Sequence, residues 1–388
     1  MQTTAIIHFF DHRFDPLTEL AGVPLVHRAM LTGQRAGIYR FYLLGEMQPS
    51  AEESLRQDHR IKSRWTWLTD FTELTHVHGP LFVYGTSVLM HAKALQKCLE
   101  NTQENCALYS KGQFLGLILT KFDNVPFSKI LSNLQELESY ATTLPNKELE
   151  GFGCILAKTI PKAEKILLHS YASSLDGIVD VWFNRPVGRL ITLPLIRAKV
   201  NPNTVTIVSG IIGLIAAGFF LSQGYWLTIL AALLLQFSAV VDCMDGDIAR
   251  LQFRESQLGR WLDIAGDNVV HVFLFSALMW REYCRAANNI PLILGGLLVI
   301  GTIIAFALVI YSQTKLLKYA QQGQVSTALA KLHDWIDRMT SRDFTVLLIL
   351  GAVWGDLLWF LWLAAIGTQV FWISLCFYIL MIFRKVKI

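Results

Sequence analysis

The sequence predicts an α/β domain over residues 1–170, an amphipathic interfacial segment over residues 171–200, and an all-α membrane domain of about six transmembrane helices over residues 201–388. Three observations carry this. Hydrophobic residues make up 53% of the chain and charged residues only 16%, whereas soluble domains carry about 25% charged residues. The apolar excess is concentrated in the second half, in stretches close to the roughly 20 residues that cross a bilayer as a helix. The first half instead alternates short apolar runs with helical patterns.

In the first half, residues 5–10, 39–44, 81–84 and 114–119 read as strands, and residues 24–36 and 87–99 as helices. Such alternation favours a parallel sheet with helices on its faces. The opening residues MQTTAIIHFFDHRFD lack a basic region followed by a long apolar run, so no cleavable signal peptide is expected. Six cysteines at irregular spacings, with no CxxC pair, argue against a zinc site or a disulfide framework. The net charge of +4 comes without a basic run interleaved with aromatics, so nucleic acid is not an expected partner.

The apolar stretches fall at residues 204–222, 225–241, 263–280, 290–311, 344–363 and 364–383, the last two divided near Gly367. Lipid satisfies no backbone polar group, so these stretches must be helical. With six helices, Arg250, Arg254 and Arg260, then Lys315, Lys318, Lys331, Arg338 and Arg342, and finally Arg384, Lys385 and Lys387 share one side. Arg281 and Arg285 fall opposite. The positive-inside rule then expects the amino-terminal domain, the acidic site and the carboxyl terminus on the cytoplasmic side of the cell inner membrane. Ahead of the first span, residues 176–199 mix Arg185, Arg189, Arg197 and Lys199 with Trp182, Phe183, Leu190, Ile191, Leu193 and Leu195. That mixture suits a segment lying at the headgroup level.

Four carboxylates interrupt the second and third spans. Asp242 and Asp245 are three apart, Asp263 and Asp267 four apart, so each pair shares a helix face. A short basic loop joins the two helices, which therefore run antiparallel and can bring the pairs together. Converging carboxylates do not all stay ionised without cations. Hard divalent ions such as Mg²⁺ or Mn²⁺ suit an all-oxygen donor set, and a pair of them is the usual clamp in phosphoryl chemistry. Gly246, Ala249 and Gly259 allow a bulky ligand to approach the backbone; close helix packing would use the same residues. Asp247 lies on another face. Asp356, in the fifth apolar stretch, is expected near the opposite interface and away from this chemistry.

The string Asp242-x2-Asp245-Gly246-x2-Ala249-Arg250-x8-Gly259-x3-Asp263-x3-Asp267 resembles the signature of the CDP-alcohol phosphotransferase (CDP-alcohol phosphatidyltransferase) family at all eight fixed positions. The segments NPNTVT at residues 201–206 and Asn184-Arg185-Pro186 resemble the family's approach to its first span. The resemblance implies that Asp242, Asp245 and Asp263 hold metal, with Asp267 beside it as general base for the acceptor hydroxyl. It implies that Gly246, Ala249 and Gly259 line the cytidine, that Asn203 contacts the diphosphate or an aspartate, and that Arg250 contacts phosphate. A membrane-side anchor is the other role open to Arg250. The implied activity is transfer of a phosphoalcohol from a CDP-alcohol, either CDP-diacylglycerol or a CDP-polyol, to an acceptor alcohol with release of CMP. Homodimers through the membrane helices are a family expectation.

Residues 17–38, LTELAGVPLVHRAMLTGQRAGI, resemble the stretch after the nucleotide loop of sugar-phosphate nucleotidyltransferases, which occur fused to this membrane domain in enzymes making inositol-phosphate diesters. The Gly-rich loop itself is replaced by His8-Phe9-Phe10-Asp11-His12-Arg13, and Gly85-Thr86-Ser87 stands where a metal-binding Asp is expected. Phosphates are cradled by backbone amides of flexible loops, so this domain is expected to have lost its transferase chemistry and kept a docking or regulatory role. From a different class, an ion or proton transporter could use intramembrane aspartates as a relay; it would need ionisable residues spread through the depth of the bilayer.

Overall fold

A computed structural model describes residues 3–9, 14–45, 49–69, 74, 77, 79–122, 125–156, 159–171, 177–286, 288–321 and 343–386. The chain forms two compact units, Met1–Ser170 with Leu251–Phe253, and Tyr171–Arg250 with Arg254–Ile388. Residues 10–13 and the cations Lys331, Arg338, Arg342 and Lys387 lie outside the described residues.

The first unit is built on a seven-stranded sheet. Its strands are β1 (Thr3–His8), β2 (Ile38–Leu44), β3 (Arg64–Trp67), β4 (Leu81–Gly85), β5 (Cys106–Ser110), β6 (Gln113–Leu119) and β7 (Asn146–Glu148), in the order β7-β5-β6-β4-β1-β2-β3. The strands β3, β2, β1 and β4 are mutually parallel, as the alternation predicts. The strand β6 runs antiparallel to both β4 and β5, so the sheet is mixed. A two-residue connection between β5 and β6 forces this, because parallel neighbours need a long crossover. Both faces are buried. Ala5, Ile7, Phe82 and Tyr84 point into one core, while Ile6, Leu81 and Val83 point into the other, following the two-residue alternation of a strand. The predicted helix at residues 87–99 begins instead as a short strand, Val88–Met90, and is helical over Ala92–Glu100.

Helices α1 (Leu25–Arg35) and α2 (Pro49–Gln57) are tied by buried polar groups. His27 Nδ1 is 2.7 Å from Asp58 Oδ2, and its Nε2 is 2.9 Å from Ser54 Oγ. Arg60 donates to the same carboxylate through Nε and Nη2 at 2.8 and 2.6 Å. Burial pushes the Asp58 carboxyl up, but the bonds from His27 and Arg60 outweigh it and hold the group well below the usual carboxylate range.

The second unit opens with a wide turn of helix, Asp180–Asn184, that runs into α3 (Arg185–Arg197). Trp182 is 80% exposed, and Ile178 and Leu190 are similarly open, while Gly188, Thr192 and Ile196 face inward. That is the two-faced pattern of an interfacial segment. Next come α4 (Pro202–Phe220), α5 (Tyr225–Leu251), α6 (Gln257–Arg285), α7 (Ile290–Gln321), α8 (Phe344–Trp354) and α9 (Leu358–Val386). Asn201 caps α4, with Pro202 in the first turn, and Ser256 caps α6 through Gly259 N at 2.9 Å. Both are standard starts for a helix.

Among the described residues, five helices are long and apolar enough to cross a membrane. The fifth and sixth apolar stretches are divided at a different place from the expectation. The break falls at Gly355, in the left-handed region at φ 82°, and Gly367 lies inside α9. Asp356 Oδ1 then accepts from Leu358 N at 2.8 Å, so Asp356 lies in the turn ahead of α9 and not in the preceding helix. Helix α8 has 11 residues, which span about 16 Å, roughly half the hydrocarbon thickness. Near this turn Arg281, 1% exposed, donates to Ser222 O, and Arg285 donates to Gly355 O.

Asp58 generates a pH prediction. Its folded pKa is depressed, so its contribution is present above the unfolded value near 4 and is lost as pH falls below it. In the full chain, hydrogen exchange should show α1 and α2 losing protection between about pH 5 and 3 beyond the intrinsic rate change. Asp58→Asn should be less protected at pH 7 and flatter with pH; equal pH slopes would remove Asp58 as the cause.

Candidate active site

The site is built from residues of α4, α5 and α6. Asp242 and Asp245 project from α5, and Asp263 from α6. One carboxylate oxygen from each lies within 4.8 Å of the other two. Asp245 is buried, and Asp242 and Asp263 are half-buried. Both α5 and α6 extend beyond the apolar stretches that locate them in the sequence, so the aspartates sit inside helices and their backbone positions are rigid. Asp267, one turn beyond Asp263, is half-buried and stands outside the group of three.

Two residues that the sequence reading did not single out touch these carboxylates. Thr206 Oγ1 donates to Asp245 Oδ2, and Ser209 Oγ lies 3.2 Å from Asp242 Oδ1. Ser209 O in turn accepts from Ser238 Oγ at 2.7 Å. Asn203, Thr206 and Ser209 are spaced by three along α4, so they form one polar stripe on an otherwise apolar helix. That spacing was visible in NPNTVTIVS, and it is the signal that could have located them.

The small residues mark close approaches. A Cβ on Gly259 would stand 2.9 Å from Asn203 Oδ1, so the start of α6 and the first turn of α4 are in near contact there. A Cβ on Gly246 would stand 3.2 Å from Arg250 Nη2. Ala249 is half-buried on the same helix. Arg250 does not extend away as an anchor; its Nη2 donates to Asp247 Oδ1 at 2.7 Å. Asp247 is 2% exposed, and also accepts from Arg185 Nη1 at 2.8 Å. A solvated role for Asp247 is therefore ruled out.

Chemically, three carboxylate oxygens this close repel one another unless a cation lies among them. The donor set is hard and anionic, the type that Mg²⁺ and Mn²⁺ prefer, and its spacing leaves room for an ion between the oxygens. The hydroxyls of Thr206 and Ser209 bond carboxylate oxygens and so orient them, as residues behind metal ligands commonly do.

Residues 199–380 match the family CDP-alcohol phosphatidyltransferase. A stretch of 138 residues, 35% of this chain, is 28% identical to the bifunctional IPC transferase and DIPP synthase of Aquifex aeolicus and covers 31% of that protein. The chain thus spans under a third of the length of this relative. Among solved structures, Mycobacterium tuberculosis phosphatidylinositol phosphate synthase (PgsA1) with CDP-DAG bound is 18% identical at a TM-score of 0.31, covering 50% of this chain and 92% of that one. The inositol-1-phosphate CTP transferase from T. maritima is 13% identical at a TM-score of 0.30, covering 42% and 96%. The segment 199–380, whose aspartates gather on α5 and α6, is thus similar to the CDP-alcohol phosphatidyltransferase family.

Proposed function

We propose that this chain transfers a phosphoalcohol group from a CDP-alcohol to an acceptor alcohol and releases CMP. The observation that carries the proposal is the convergence of Asp242, Asp245 and Asp263 from two helices onto one point. Bound there, Mg²⁺ or Mn²⁺, as a two-ion site completed by Asp267, would neutralise the diphosphate and the charge that develops on it. Asp267 accepts the proton of the acceptor hydroxyl as its oxygen attacks the phosphorus that bears the alcohol. The new P–O bond forms as the anhydride P–O bond breaks, and CMP leaves with the electron pair. Asn203, Gly246, Ala249, Arg250 and Gly259 form the donor site, glycine and alanine giving room for the nucleotide and Arg250 a cation for phosphate. The hydroxyls of Thr206 and Ser209 keep two of the carboxylates in place.

The donor is CDP-diacylglycerol or a CDP-polyol, in phospholipid or phosphodiester synthesis. The amino-terminal unit, the acidic site and the carboxyl terminus face the cytoplasm of an inner membrane, and the chain works as a homodimer. The amino-terminal unit serves docking or regulation and no longer transfers nucleotides. In support, His8 is buried at the end of β1 against Gly85, and Thr86 and Ser87 are buried beside it. Those positions offer no carboxylate for a metal. Transport is disfavoured, since between Asp267 and Arg281 helix α6 carries no ionisable side chain but His271.

Purified chain supplied with Mg²⁺ or Mn²⁺, CDP-diacylglycerol or CDP-polyols, and polyol-phosphate or lipid acceptors should release CMP, with products identified by mass spectrometry. An inactive wild type across that screen would sink the proposal. Asp242→Asn and Asp263→Asn should each lower turnover by more than about 100-fold while the protein stays folded. Thr206→Val removes a hydroxyl behind the carboxylates and should weaken Mn²⁺ binding by about 10- to 100-fold, read by electron paramagnetic resonance. Gly259→Ala, whose methyl would meet Asn203, should raise KM for the donor more than it lowers kcat.

A further inference from the structure

Asp247 does not belong to the metal-binding group. Two residues beyond Asp245, it points about 200° away around the helix. Its Oδ1 instead accepts from two guanidinium groups. One is Arg250, one turn along α5, at 2.7 Å, and the other is Arg185, from the start of α3, at 2.8 Å. Two guanidinium groups converging on one carboxylate leave a net positive charge. A single ion pair would satisfy a buried carboxylate, so the second arginine calls for a reason beyond packing.

The placement of Arg250 supplies that reason. Its guanidinium is folded back along the helix onto Gly246, where any side chain would press on Nη1 and Nη2. An unrestrained arginine at this half-buried position samples many rotamers and favours water; bonding to Asp247 selects the one that lies over Gly246. Arg185 is held independently. Its neighbour Asn184 is fully buried and accepts from Gln236 Nε2 at 2.5 Å. One turn on, Gly188 packs against Met244 and the carbonyl of Val240. The carboxylate of Asp247 is thus fixed from one side by a docked helix, and it fixes Arg250 on the other.

We infer that Asp247 is a positioning residue for donor binding. It holds the Arg250 guanidinium over Gly246, preorganised to receive the diphosphate of the CDP-alcohol, and Arg185 balances the carboxylate so that Arg250 keeps positive charge to offer. The inference rests on the proposed function of the same site. Preorganising a flexible cation strengthens binding chiefly by removing the cost of ordering it. The effect belongs in KM for the donor more than in kcat.

The test compares wild type, Asp247→Asn, Asp247→Glu, Arg250→Ala and the double variant Asp247→Asn/Arg250→Ala as full-length protein. Donor KM and kcat are measured, together with the Kd for CMP in the presence of Mn²⁺. Asp247→Asn should raise donor KM on the order of 10-fold with kcat nearly unchanged. Asp247→Glu, which keeps the charge, should recover part of the loss. In the Arg250→Ala background Asp247→Asn should add nothing, because the partner through which it acts is gone. An unmoved KM, a loss confined to kcat, or a full additional effect in the double variant would each overturn the inference while leaving the wild-type reaction standing. If Asp247→Asn does not fold, Arg250→Ala and Asp247→Glu decide: KM unchanged in Arg250→Ala overturns it. A wild type that neither turns over nor binds CMP overturns the underlying function as well.

Discussion

Like charges converging inside a helical bundle are the constraint on which the membrane unit depends. Asp242, Asp245 and Asp263 place oxygens within 4.8 Å of one another, an arrangement that costs free energy in proportion to how dry its surroundings are. It is held by the helices that carry the aspartates and by hydroxyls from α4 that bond two of them. A carboxylate set of this kind favours a hard divalent cation.

Around that centre, polar groups are distributed by depth. The carboxylates and the Arg185–Asp247–Arg250 bridge lie toward one end of α5 and the start of α6, and the Arg281–Glu282 pair lies near the other end of α6. Between them the described helices pack through an apolar cluster that includes Phe220, Leu274, Leu298 and Phe360. Small residues decide how closely the helices meet: Gly213 lies against Val270 and Ser238, and Gly301 against Thr368 and Gln369. Without a hydrophobic drive between lipid-facing surfaces, such close contacts are a main source of helix association. The apolar faces of α3 and the long helices remain exposed, which suits a bilayer and would be a liability in water.

The amino-terminal unit follows other rules. Its sheet buries both faces, as parallel strands covered by helices do, and buried polar side chains pair in the His27–Asp58–Arg60 cluster. The ends of β1 and β4, where an α/β sheet usually binds ligands, carry the buried side chains His8, Thr86 and Ser87.

The amino-acid sequence by itself indicated the two-part organisation, three of the four parallel strands (β1, β2 and β4, but not β3) and the aspartates that converge, because these rest on local periodicity. Residues three or four apart share a helix face whatever surrounds them, and an apolar run of sufficient length has few fates. It did not determine the direction of β6, the break at Gly355 or the partners of the carboxylates. Gly367 and Gly355 are equally good breakers in the sequence; only Gly355 takes the left-handed conformation that ends α8. Thr206 reaches Asp245 across 39 residues, and Arg185 reaches Asp247 across 62. Tertiary packing alone decides such contacts, since their geometry depends on how helices lean and rotate against one another, which no spacing along a single helix encodes.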